Sequence, residues 1–138
     1  MRHLDKVEKL EIALAAIGLL VSLYLTLHHY LPIPLACSNS GLFNCNNVLN
    51  SVYATAFGVP TAVYGIIFFI FLLLALLYGR REHVLGLLSI GMIVVLYLIR
   101  SEFIIGNICE YCTTVHVIIT TLFIISVYRY LKQPGPKR

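Results

Sequence analysis

The chain has 138 residues, 59% of them hydrophobic and only 12% charged, with a formal net charge of +4. That length allows one domain, and so few charges cannot coat a water-soluble globule. The composition excludes an ordinary soluble domain, and the positive balance reads as anchoring at a cytoplasmic membrane face rather than nucleic-acid binding.

Arg2, Lys6 and Lys9 precede a first apolar run over residues 12–30. Roughly 20 apolar helical residues cross a bilayer core of about 30 Å, so this run is a predicted span. It is too long for a signal-peptide core and more spans follow, so it reads as a retained helix. His28 and His29 close it as interfacial residues. The loop over residues 28–58 has no Lys, Arg, Asp or Glu and carries Cys37 and Cys45. A second span is predicted over 59–78, with Pro60 in its first turn, where a missing N–H costs nothing. Arg80 and Arg81 follow. The third span, 84–99, is short, and His83 and Arg100 can snorkel at its ends. A loop with Arg100 and Glu102 leads to the fourth span, 109–130, and a short basic tail. Glu102 reads as a solvated loop residue, and Arg100 as an interfacial anchor or a group steadying an anion. The expected fold is an all-α integral membrane protein, a bundle of four transmembrane helices in a single domain over 1–138.

Nine of the ten basic residues fall on one side of this topology. By the positive-inside rule that side is cytoplasmic, as are both termini. All four cysteines then lie on the outer side, where disulfides persist. Cys109 and Cys112 form a C-x-x-C. Asn107 and Glu110 have N-cap and N3 spacing, which predicts a helix starting at Asn107. Cys109 then sits in the first turn, where the helix dipole favours a thiolate, although Glu110 opposes it. Cys109, Cys112 and His116 share one helix face, the last two progressively deeper. Such a pair can connect an outer thiol to an oxidant dissolved in the membrane, and the flexible Cys37–Cys45 loop can carry a second dithiol to it. Two static disulfides remain the competing reading. A shared zinc is disfavoured by the loose C-x7-C spacing, so no metal site is expected.

Cys37 and Cys45, Asn47-Val48-Leu49-Asn50-Ser51, Tyr53-Ala54-Thr55-Ala56-Phe57-Gly58-Val59-Pro60-Thr61-Ala62 and Cys109-x-x-Cys112 together resemble the prokaryotic branch of the vitamin K epoxide reductase family. The likeness covers about residues 10–130. The neighbouring disulfide-bond protein B family also has four helices, but there the C-x-x-C precedes the loop pair.

The resemblance implies a quinone-dependent thiol oxidase at the plasma membrane, with its active site at the outer face. Cys37, Cys45, Cys109 and Cys112 would be catalytic. Cys37 would meet an external dithiol, Cys45 would exchange with Cys109, and Cys112 would face the quinone (menaquinone, ubiquinone or vitamin K type). The implied quinone-binding set is Cys112, His116, Ser51 and Phe57. His116 stands where animal members have a tyrosine, and a helix-packing role for it stays open. Residues 46–51 would form a short interfacial helix covering the site. Many prokaryotic members continue into a thioredoxin-like domain. The sequence ends at Arg138, so a separate thioredoxin-like partner is expected. Reduction of vitamin K epoxide by a dithiol is the alternative activity.

Overall fold

A segment that crosses lipid must satisfy its own backbone, and a helix does so internally. The computed structural model has four long helices and describes residues 6–31, 39–40, 43–44 and 48–132. They are α1 (Lys6–Tyr30), α2 (Thr61–Tyr78), α3 (Arg81–Ile105) and α4 (Glu110–Lys132). Their lengths run from 18 to 25 residues, or about 27–37 Å at ~1.5 Å per residue. Each is long and apolar enough to cross a membrane.

α1 packs on α2 and α4, and α3 packs on the same two, so the four helices close a ring. Ala15, Phe69, Leu72, Leu88, Val95 and Leu122 fill its centre. Leu20, Ile93, Leu96 and Ile124 point outward and are 60% exposed or more. That outward apolar surface matches lipid, so helix association rests on close packing instead of exclusion from water. Gly18 of α1 shows how close: an added Cβ would collide with the Phe69 ring of α2.

Charged residues close the end of the bundle where the basic residues gather. Arg81 donates to Glu8 at 3.0 Å and to Glu11 at 3.5 Å. Arg129 donates to Glu11 at 3.2 Å and to Glu8 at 3.5 Å. Both carboxylates and Arg81 are buried. Two arginines thus cross-link three helices, each shared by the same two glutamates. The sequence counted Arg81 and Arg129 only as face markers.

The helix ends differ from expectation. α1 begins at Lys6, because Glu8 and Glu11 are drawn into the ion network. Pro60 caps α2 from outside the helix, at the end of a short strand. α3 continues past residue 99 to Ile105, because Arg100 points out while Ser101 and Glu102 turn inward. Glu102 is therefore buried, not solvated in a loop. Gly106, in the left-handed region at φ 83°, ends α3 with its N–H on the Glu102 carbonyl. α4 starts at Glu110, not Asn107. The reason is that Ile108 is extended and bridges to Phe43.

The connections at the opposite end of the bundle are short pairings. Strand β1 (Asn39–Ser40) runs antiparallel to β2 (Phe43–Asn44). Val48 and Leu49 are helical, and a 3-10 turn covers Val52–Ala54. Then β3 (Thr55–Ala56) pairs with β4 (Val59–Pro60). Thr61 and Tyr64 pin this hairpin to α2 through hydroxyl bonds to the Ala54 and Ala56 carbonyls, at 3.2 and 2.9 Å.

Candidate active site

Cys109 immediately precedes α4 and takes the N-cap position. Its carbonyl accepts the Thr113 N–H at 2.9 Å. The residue is wholly buried, beneath Val48. Both Cys109 and Cys112 are free thiols here. The Cys112 thiol hydrogen-bonds Cys109 and holds it below the ordinary cysteine range. The backbone N–H groups of Cys112 and Tyr111 act in the same direction, against the effect of burial. A thiolate at a helix N-terminus is stabilised in this way. The sequence expectation placed Cys109 in the first helical turn; the residue is instead the N-cap, and the Cys112 thiol, ahead of the backbone N–H groups, is the first cause of its lowering.

Cys112 lies one helical turn further in and opens into a small, partly open cleft of about 40 Å³. Val48, Leu49, Ser51, Tyr53 and Ala54 roof this cleft; Thr61 flanks it from α2. Leu98, Ser101, Glu102 and Ile105 of α3 form one wall, and Cys112 and His116 of α4 the other. The lining is largely apolar, as small-molecule sites are. The segment expected to cover the site does so in its described part, through Val48 and Leu49 packed on Cys109, Tyr111 and Cys112. At the same end, the Tyr24 ring of α1 meets Tyr111 edge-on, 5.4 Å between centroids.

Of the expected quinone contacts, three converge and one does not. Cys112, His116 and Ser51 all line the cleft. The Ser51 hydroxyl donates to the Val48 carbonyl at 2.7 Å, so its proton is already committed to holding the roof turn. Phe57 is fully exposed and outside the lining. Together with Gly58 it makes the two-residue turn of the β3–β4 hairpin, at φ 55° and 78°. Such primed turns need positive φ at both positions, which turns the Phe57 ring away from the cleft. Arg100 is exposed and also outside the lining, which leaves no cleft anion within its role. Cys37 and Cys45 lie outside the described residues.

Glu102 is the residue the sequence reading missed. Its Oε1 lies 3.8 Å from His116 Nδ1, and its carboxylate accepts the backbone N–H of Cys109. A helical signal was available. Leu88, Gly91, Val95 and Glu102 continue one buried stripe at spacings of three, four and seven.

Four apolar helices with paired thiols at the mouth of an apolar cleft define a membrane protein suited to thiol chemistry. The sequence model of the Vitamin K epoxide reductase family matches residues 9–127, and the chain belongs to that family. No curated protein matches the chain. Membership makes it a membrane thiol–disulfide oxidoreductase of a family linked in general to quinones.

Proposed function

We propose that this protein forms disulfides outside the cytoplasm. Electrons from a thioredoxin-like dithiol protein would enter at Cys37 and Cys45, pass to Cys109 and Cys112, and leave to a quinone. The membrane would be the plasma membrane, with both termini cytoplasmic and the cleft at the outer face.

One observation carries the path. The N–H of Asn44 donates to the carbonyl of Ile108 at 3.1 Å. Asn44 is the chain neighbour of Cys45, and Ile108 that of Cys109. Consecutive Cα atoms are ~3.8 Å apart, so this one bond joins the two segments one chain position before each of those cysteines. Thiol–disulfide exchange requires such direct access.

The residues of the cleft fit a quinone. Its apolar walls suit a ring, and a ring carbonyl needs a donor. Thr61 and Ser101 donate to the Ala54 and Tyr97 carbonyls, as Ser51 does to Val48. That leaves the Tyr53 hydroxyl and the His116 imidazole as donors, and His116 is the one on the helix that carries Cys112, one turn further along. A bound quinone supplies a two-electron acceptor. Cys112, at the cleft, would deliver the electrons, while Cys109, buried at the helix cap, would exchange with the loop. Leu98 and Ile105 would exclude water from the transfer.

Purified protein in detergent, given a reduced thioredoxin-like protein and a quinone, is expected to oxidise the dithiol and reduce the quinone in equal amounts. Cys112→Ser should abolish quinone reduction yet accumulate a Cys45–Cys109 linkage. A fully active Cys112→Ser would refute the reading. Activity with vitamin K epoxide and none with quinone would reverse the substrate assignment.

A further inference from the structure

An ionisable side chain buried within a membrane bundle is costly, and its usual justification is functional. Glu102 is such a group, 9% exposed, beside the buried Ser101 on the inward side of α3. None of the described residues lining the cleft is Lys or Arg. Its neighbours are instead the two thiols and an imidazole. It accepts the Cys109 N–H on one side and faces His116 Nδ1 at 3.8 Å on the other. That separation exceeds a direct hydrogen bond, and a small rotation or one bridging water closes it. With Nδ1 turned to Glu102, the other ring nitrogen, Nε2, is left for a ligand in the cleft. Ser51, Ser101, Tyr53 and Thr61 are the other polar side chains facing this space.

We propose that Glu102 and His116 form the proton-transfer pair of the C-x-x-C. Taking the pair from dithiol to disulfide breaks two S–H bonds and releases two electrons and two protons, the first proton leaving as the Cys109 thiolate forms. The electrons leave through Cys112. Glu102 takes each proton in turn and passes it to His116 Nδ1, while Nε2 releases a proton to an acceptor oxygen; between the two passes the ring returns its remaining proton from Nδ1 to Nε2. Two O–H bonds are formed for the two S–H bonds broken. The proposal rests on the thiol-to-quinone reading and adds to it the proton route.

Two measurements test it. The first uses the full-length protein stripped of quinone. An infrared difference spectrum between its dithiol and disulfide states should contain a carboxyl C=O band that Glu102→Gln removes and Glu102→Asp shifts. The second is quinone reduction. Glu102→Gln should lower kcat by at least about a hundredfold, the usual range for a positioned acid–base group, with KM for the quinone changed less. Glu102→Asp should restore part of kcat. His116→Asn should lose a similar amount, and the double variant no more than the worse single. A silent carboxyl region in an active wild-type enzyme would overturn the proposal, as would additive losses in the double variant. The wild-type spectrum decides even if Glu102→Gln does not fold. A redox-linked carboxyl band without quinone reduction would overturn the functional reading and retain Glu102 as the proton acceptor of the thiols.

Discussion

Asn44 donates its backbone N–H to the carbonyl of Ile108 at 3.1 Å, which joins the loop between α1 and α2 to the residue before Cys109. The bond costs α4 its expected start at Asn107 and holds Ile108 extended. A proline at Asn44 cannot donate it. Asn44→Pro is therefore expected to slow exchange between the loop pair and the C-x-x-C, by roughly two- to tenfold for a bond worth ~0.5–1.5 kcal/mol. Asn44→Ala keeps the N–H and should therefore slow exchange less than Asn44→Pro. Rapid-quench trapping of the Cys45–Cys109 species measures both. A proline variant as fast as wild type would remove the bond from the mechanism.

The Cys109 thiol is lowered from the ordinary cysteine range, first by the Cys112 side chain and then by N–H groups at the α4 N-terminus. A lowered value means that the thiolate persists to a lower pH than in a free cysteine. Exchange at Cys109 should fall off only once the pH drops below that lowered value. In a Cys37→Ser/Cys45→Ser background, ultraviolet thiolate absorbance should show this titration. Adding Cys112→Ala removes the largest cause and should move it upward. No upward movement would mean that the helix N-terminus alone sets the value.

The Glu8–Glu11–Arg81–Arg129 network predicts unequal costs for two neighbouring arginines. Arg81 is buried between the two glutamates. Among the described residues Arg80 pairs with Glu82 at 3.3 Å, and both side chains are over 40% exposed. Breaking a buried pair leaves an uncompensated charge and costs about 3–5 kcal/mol. A surface pair contributes about 0–1 kcal/mol. Arg81→Met should lower the detergent Tm clearly and Arg80→Met hardly at all. Arg81→Met combined with Glu8→Gln, which restores charge balance, should recover part of the loss. Equal effects of Arg80→Met and Arg81→Met would show that the network does not hold the bundle.

Much of the fold was legible because lipid imposes a simple rule. A run of about 20 apolar residues must be helical, so four runs meant four helices. Their ends were less legible. Arg100 looked like a boundary, yet one charged residue on the outer side does not stop a helix whose inner side continues through Ser101 and Glu102. The Phe57-Gly58 pair looked like part of a binding surface, yet its backbone requirement is a tight turn, and that requirement sets where the ring points.

The sequence by itself determined the solvent of this protein, the number of its helices, the gathering of its basic residues at one end and the depth order of Cys112 and His116. These follow from local composition and from the helical repeat, which act along the chain. Tertiary structure alone decided the partners of Glu8, Glu11 and Glu102. A carboxylate's meaning depends on what faces it, and what faces it comes from another helix: Arg81 and Arg129 at one end of the bundle, His116 at the other. The same holds for the loop bond to Ile108, which joins residues 64 positions apart in the chain.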